Sequence, residues 1–241
     1  MADKLTRPHD YRALFSACPD LTIVGGQAVN LWAITYLDEA RANSERFGSS
    51  DLDVLARMRA SDIVAALPEW NHEKTPLWAF GDGRVLTLTS NADDGRPLVV
   101  EVLHAVPGLD QEDLDAVVAI QKDGVTYRLL DPVAILKAKA TSIRLFDQTD
   151  RQDRPHLQII AKCLPLFLRD AHQQAVEDAV LQAAFCGTLR RTFKALTDRR
   201  IRKVLRQEGI NLLLLIPPEL SQSPIEKVRI ACLHQLSRLA D

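Results

Sequence analysis

The sequence predicts an α+β protein, with a mixed sheet flanked by helices over residues 1–125 and a mostly helical region over 126–241. Three observations carry that prediction. Short apolar runs bounded by glycine, proline and aspartate, the mark of strands, occupy the first part of the chain. From Asp131-Pro132, a capping residue followed by a proline suited to the first helical position, nearly every stretch favours helix. Charge divides at the same place: Met1 to Val125 carries 11 basic and 20 acidic residues, Thr126 to Asp241 carries 19 and 12.

Composition narrows the class. The chain has 241 residues, a formal net charge of −2 and 46% hydrophobic residues. A chain of that length buries roughly 70% of its unfolded surface, so its core needs no disulfide staples. The apolar run Leu212 to Ile216 is five residues, far short of the roughly 18 of a membrane span. The stretch MADKLTRPHDYR lacks the apolar region of a secretory signal, so a cytoplasmic protein with no membrane partner is expected. Cys18, Cys163, Cys186 and Cys232 form no CxxC pair, and the six histidines show no HExxH or HxH spacing. A zinc site or redox dithiol therefore has no support, and the absence of GxxxxGK[ST] excludes a P-loop.

The elements follow in order. Leu21 to Val24 is a short strand ending at Gly25-Gly26, and Ala28, Leu31, Trp32 and Tyr36 then recur at helical spacing. SERFGSS reads as a loop and DLDVLA as a half-buried strand. Ser61 to Leu67 fits a helix stopped by Pro68. RVLTLTS and LVVEVLHAV flank NADDGRP as a β-hairpin turning near Asp94-Gly95. Leu109 to Ile120 reads as a helix capped by Asp110, and VTYRLL as a further strand. Helices follow, with breaks near Pro165, Gly187, Gly209 and Pro217-Pro218.

Gly25, Gly26, Asp51, Asp53 and Glu101 are the residues with chemical content. Asp51 and Asp53 stand two apart on a strand, so both leave the same face. Like charges so close repel, and a divalent cation removes that cost; Mg²⁺ prefers such carboxylate oxygens. Glu101, on another strand, is positioned to add a third carboxylate, and such a set is what two-metal phosphoryl or nucleotidyl transfer needs. Glycines between strand and helix let a phosphate approach free backbone N–H groups. Singly, each feature also has a plain reading: a routine tight turn for the glycines, an edge-strand glutamate for Glu101.

Taken together, VGGQAVNLWA, GSSDLDVLA and LVVEVLHAV resemble the nucleotidyltransferase-fold superfamily, the polymerase-beta-like folds, and within it the bacterial AbiEii/MenT-type toxins. The resemblance implies that Gly25, Gly26 and Ser50 bind nucleotide while Asp51, Asp53 and Glu101 are catalytic and hold two Mg²⁺ ions. LLDPVAILKAKATSIRLFDQTDRQDRPHLQII is similar to the family's later segment, a helix-borne lysine followed by an acidic signature. There it implies nucleotide binding by Lys139, with Lys137 as the alternative, and by Asp153, while His156 matches the signature. The implied activity moves a nucleoside monophosphate from an NTP to a hydroxyl acceptor. RNA such as tRNA or a small molecule is the implied acceptor, and an antitoxin an implied partner. Two departures stand out: 25 residues separate Gly26 from Asp51, and the third carboxylate is Glu.

The segment Arg190 to Arg206 holds eight basic residues and one acid. Phe193, Leu196, Ile201, Val204 and Leu205 make an apolar stripe, which predicts that Arg190, Arg191, Lys194, Arg199, Arg202, Lys203 and Arg206 face outward. Such a face attracts nucleic-acid backbone, although a solvated surface or a docking face for an acidic partner uses the same pattern. The alternative function is accordingly a catalytically degenerate module of the same fold, binding nucleic acid or an acidic partner.

Overall fold

The computed structural model describes residues 6, 8–42, 49, 51–76, 83–122 and 124–240. The chain forms two compact units, Met1–Asp131 and Pro132–Asp241. In the first, a seven-stranded mixed sheet is made by β1 (Thr22–Ile23), β2 (Leu52–Leu55), β3 (Asn71–Lys74), β4 (Arg84–Asn91), β5 (Pro97–Leu103), β6 (Val117–Lys122) and β7 (Val125–Leu130). Their spatial order is β3-β4-β5-β2-β1-β7-β6. β1 runs antiparallel to β2 and parallel to β7, while β2 runs parallel to β5.

Helices α1 (Arg12–Ala17), α2 (Gly25–Tyr36), α3 (Asp38–Ala42), α4 (Ala60–Ala66) and α5 (Gln111–Leu114) accompany the sheet. α2 is buried from Gly26 through Ala33 and packs on β2. Its Trp32, 2% exposed, donates its indole N–H to the Leu130 carbonyl at 2.9 Å, tying the helix to the end of β7. Leu86, Leu88, Leu98, Val100 and Val102 fill the alternate buried positions of the hairpin, as the period of two requires.

The helical unit comprises α6 (Pro132–Leu145), α7 (Asp153–Glu177), α8 (Ala179–Thr197), α9 (Arg199–Gln207) and α10 (Glu226–Ala240), with 3₁₀ turns at Leu212–Leu215 and Pro218–Gln222. α6 packs on α7, α8 and α9, and α8 also meets α7, α9 and α10. No helix among the described residues is long and apolar enough to cross a membrane.

Four sequence expectations are corrected. Leu109 to Ile120 is not one helix: Asp110 does cap a helix, through a reciprocal capping box with Asp113, but α5 lasts one turn. Val117 onward pairs instead with β7 across Gly124, because β-branched residues beside an available strand are better satisfied in a ladder. Pro165 and Gly187 lie inside α7 and α8; burial of Leu164, Phe167, Leu168, Phe185 and Leu189 around them outweighs costs of about 3 and 1 kcal/mol. The edge strand β3, exposed at every residue, has no apolar pattern and escapes a periodicity reading. The fourth correction concerns Arg191. It is 6% exposed rather than outward-facing, since the C-terminal half of α8 is enclosed by neighbours on several sides.

Candidate active site

Three elements converge on one end of β2. The first is the start of α2. Gly25 adopts φ +62°, the left-handed region, and a Cβ placed on it would lie 1.8 Å from Asp53 Oδ2. Only glycine fits there. The cap residue Val24 offers no side-chain hydrogen bond to the helix, so the Asp53 carboxylate occupies the place beside the first turn where negative charge is favoured. Gly26 is buried in the same turn.

The second is the register of the sheet. Asp53 on β2 faces Glu101 on β5 directly, and Glu101 faces Thr87 on β4. Neighbouring strands lie about 4.8 Å apart, so the two acidic residues share one face of adjacent strands. Burial alternates along both: Asp53 and Glu101 are half-buried while Leu52, Val54, Val100 and Val102 are buried. Asp51 precedes the strand and is also half-buried; its Oδ1 accepts from Ser49 Oγ at 3.2 Å. Ser50, expected to bind nucleotide, lies outside the described residues, as do residues 44–48 of the expected loop.

The third is Arg84, which the sequence reading does not single out. Its Nη1 meets Glu101 Oε1 at 2.5 Å, with a register irregularity between Arg84 and Leu86 bringing it there. The signal was a lone arginine at the mouth of the hairpin, but only pairing reveals its target. Tyr11 also borders the site, its single hydroxyl proton lying within reach of two acceptors, Thr6 Oγ1 at 3.0 Å and the Val99 carbonyl at 3.3 Å. Burial, reinforced by the charges of Asp51 and Asp10, pushes its hydroxyl up to about 12, so it stays protonated.

Asp53 and Glu101 provide hard oxygen donors in the chemistry Mg²⁺ prefers, and Asp51 is a third donor two residues away. Among the described residues no group of three or more His, Cys, Asp or Glu side chains is already gathered around one point. Glu101 is instead paired with Arg84.

A second group sits in the helical unit. Lys139 Nζ contacts Asp153 Oδ1 at 2.8 Å, and Arg151 Nε contacts Asp153 Oδ2 at 2.6 Å. Burial would raise the Asp153 carboxyl, but Lys139 and Arg151 outweigh it and hold it below the usual carboxylate value. His156 is pushed down to about 4, first by burial and then by Lys139, with Asp153 opposing. Its buried Nδ1 has no hydrogen-bond partner among the described residues. Lys139 thus meets the acidic signature, and Lys137 is buried, 8% exposed.

The basic segment is two helices, parted at Asp198, whose side chain accepts from Arg200 and Ile201 N–H. Arg190 and Lys194 line a groove with α10, alongside Lys227 and Arg238. Arg199, Arg200 and Lys203 line a different one with α6 and α7. Arg202 is half-buried and Arg206 exposed.

No protein-family model matches the chain, and no curated protein matches it. Among solved structures it is similar to an antigenic nucleotidyltransferase-like protein from Paracoccidioides brasiliensis, with 14% identity over 90% of this chain and 96% of that one and a TM-score of 0.44. Nothing about activity transfers at that level of likeness.

Proposed function

We propose that the protein is a Mg²⁺-dependent nucleotidyltransferase that moves a nucleoside monophosphate from an NTP to a hydroxyl at an RNA end, tRNA being one such acceptor. One observation carries the reading. Asp53 and Glu101 stand in register on parallel neighbouring strands, with the Asp53 carboxylate against a glycine that opens a helix. In the proposed reaction the acceptor oxygen bonds to the α-phosphorus, the bond to pyrophosphate breaks, and the hydroxyl proton passes to solvent water. Asp51, Asp53 and Glu101 would hold the metal, which when bound neutralises the triphosphate and lowers the pKa of the attacking hydroxyl. The N–H groups of the Gly25-Gly26 turn suit an anion. Within the helical unit, Lys139, paired with Asp153, would offer a compact cation to phosphate. A small-molecule acceptor is the competing outcome within this class, and an antitoxin partner belongs to the same proposal.

Purified protein with Mg²⁺, labelled NTPs and total tRNA should transfer label to RNA. Asp51→Asn with Asp53→Asn should lower the rate by about a thousandfold, equivalent to about 4 kcal/mol of barrier. Labelling that survives the double substitution removes the proposed site.

A second reading, the degenerate binding module, has one observation in its favour: Arg84 supplies at Glu101 the positive charge that a metal ion otherwise brings. Titration of the wild-type protein with MgATP and MgGTP by calorimetry separates the two, because a degenerate site takes up neither.

A further inference from the structure

We infer that the concavity framed by α6, α7 and α9 seats the phosphodiester backbone of RNA. It is about 750 Å³ and lies wholly within the helical unit. Its lining includes Arg144 from α6, Arg154 from α7, and Arg199, Arg200 and Lys203 from α9, against one acid, Glu208. Arg154 is already paired with Glu208. Among the described residues no acidic side chain pairs with Arg144, Arg199, Arg200 or Lys203. Asp198, the nearest acid in sequence, spends its carboxylate on the N–H groups of Arg200 and Ile201.

Size alone fits a small ligand, but small-ligand sites are predominantly apolar with a few placed polar groups. Here most of the lining residues are charged, and four of them are cations without acidic partners, contributed by two helices. That distribution suits successive phosphates. The lining holds no aromatic residue, so base stacking is absent and recognition is of backbone. By contrast, Arg190 and Lys194 of the groove with α10 are already engaged within the protein.

The inference extends the proposed function by giving its acceptor a seat. It rests on that reading for the choice of RNA, and α6 and α7 are also the helices that carry Lys139 and Asp153. Its test uses no nucleotide and no metal, so each can fail alone. Binding of the full chain to a fluorescent RNA stem-loop is measured by anisotropy in EDTA at several salt concentrations. The expectation is a steep loss of affinity with salt. Arg199→Gln/Arg200→Gln/Lys203→Gln should flatten the log–log slope by about 3, one per lost phosphate contact, and Arg144→Gln alone by about 1. Arg199→Lys/Arg200→Lys, which keeps the charge, should keep the slope and controls for folding. Arg190→Gln/Lys194→Gln should leave the slope in place. An unchanged slope in the triple variant, or an equal loss in the Arg190/Lys194 variant, overturns the assignment. Tighter binding of the DNA stem-loop of the same sequence overturns the choice of RNA.

Discussion

At the scale of single residues, Gly25 is the most constrained position. Any side chain there must adopt the left-handed region, at about 1–2 kcal/mol. Its Cβ must also displace the Asp53 carboxylate that would lie 1.8 Å away, and overpacking costs about 1–3 kcal/mol more. Gly25→Ala should therefore destabilise the protein by about 2–5 kcal/mol, read as a lower urea midpoint; a wild-type midpoint would show that Asp53 is not held against the helix. His156 makes a second prediction. Its ordinary value is 6.5 and its folded value about 4, so between those values the unfolded chain binds more protons and stability must fall as pH falls. The slope reaches about 1.4 kcal/mol per pH unit in that window. Asp153 acts lower: its carboxyl is held below its ordinary 3.8, so its contribution is present above about pH 4 and is lost only as pH falls through the folded value. Unfolding free energies across pH 4 to 7 should slope in the wild type and slope less in His156→Gln, with a remainder from His172, whose pKa burial also lowers. A wild-type curve flat across that interval would contradict the burial of the ring.

Elements show where local sequence suffices and where it does not. The strand–glycine–helix unit at 22–36, the hairpin at 84–103 and the start of α6 at Pro132 all follow from residues within a few positions. The stretch after Asp110 does not. Its cap is real, yet Val117–Lys122 becomes a strand because β7 is there to pair with it, and the local run of apolar residues is compatible with both outcomes. The basic segment failed for a related reason. Treated as one helix it has a single cationic face, but Asp198 ends α8 and caps α9, so its cations face two grooves and Arg191 is enclosed. Asp198→Ala should cost about 1 kcal/mol through loss of the cap to Arg200 and Ile201. Because the side chain is exposed, packing contributes little, and Asp198→Asn, which can still cap, should recover most of the loss in a thermal melt. Equal losses from both substitutions would mean that the charge, not the cap, stabilises α9.

For the molecule as a whole, the acidic side chains proposed as ligands were visible in the sequence, whereas their geometry was not. The two-residue spacing of Asp51 and Asp53 is a local fact. The register that sets Asp53 opposite Glu101 depends on β2 and β5 pairing in parallel although α4, β3 and β4 separate them in sequence, and Arg84 meets Glu101 from the neighbouring strand β4, beside an irregularity in the β4–β5 pairing. A pattern of charges cannot contain such distances. The same consideration explains the near-neutral total: an excess of acid in the sheet-forming unit and of base in the helical one cancel in the sum. This separation yields a prediction for the intact protein. A ligand that binds only the folded state at a hundred times its dissociation constant stabilises by about 2.7 kcal/mol, which for a chain of this size is a rise of about 5–10 °C in Tm. Mg²⁺ with a bound NTP should raise the Tm of the wild type by that amount, and should not do so for Asp53→Asn. The triple variant Arg199→Gln/Arg200→Gln/Lys203→Gln should retain the full shift, since its lost cations belong to the RNA seat. A shift that survives Asp53→Asn but vanishes in the triple variant would place the nucleotide on the cationic concavity of the helical unit and not at the acidic end of the sheet.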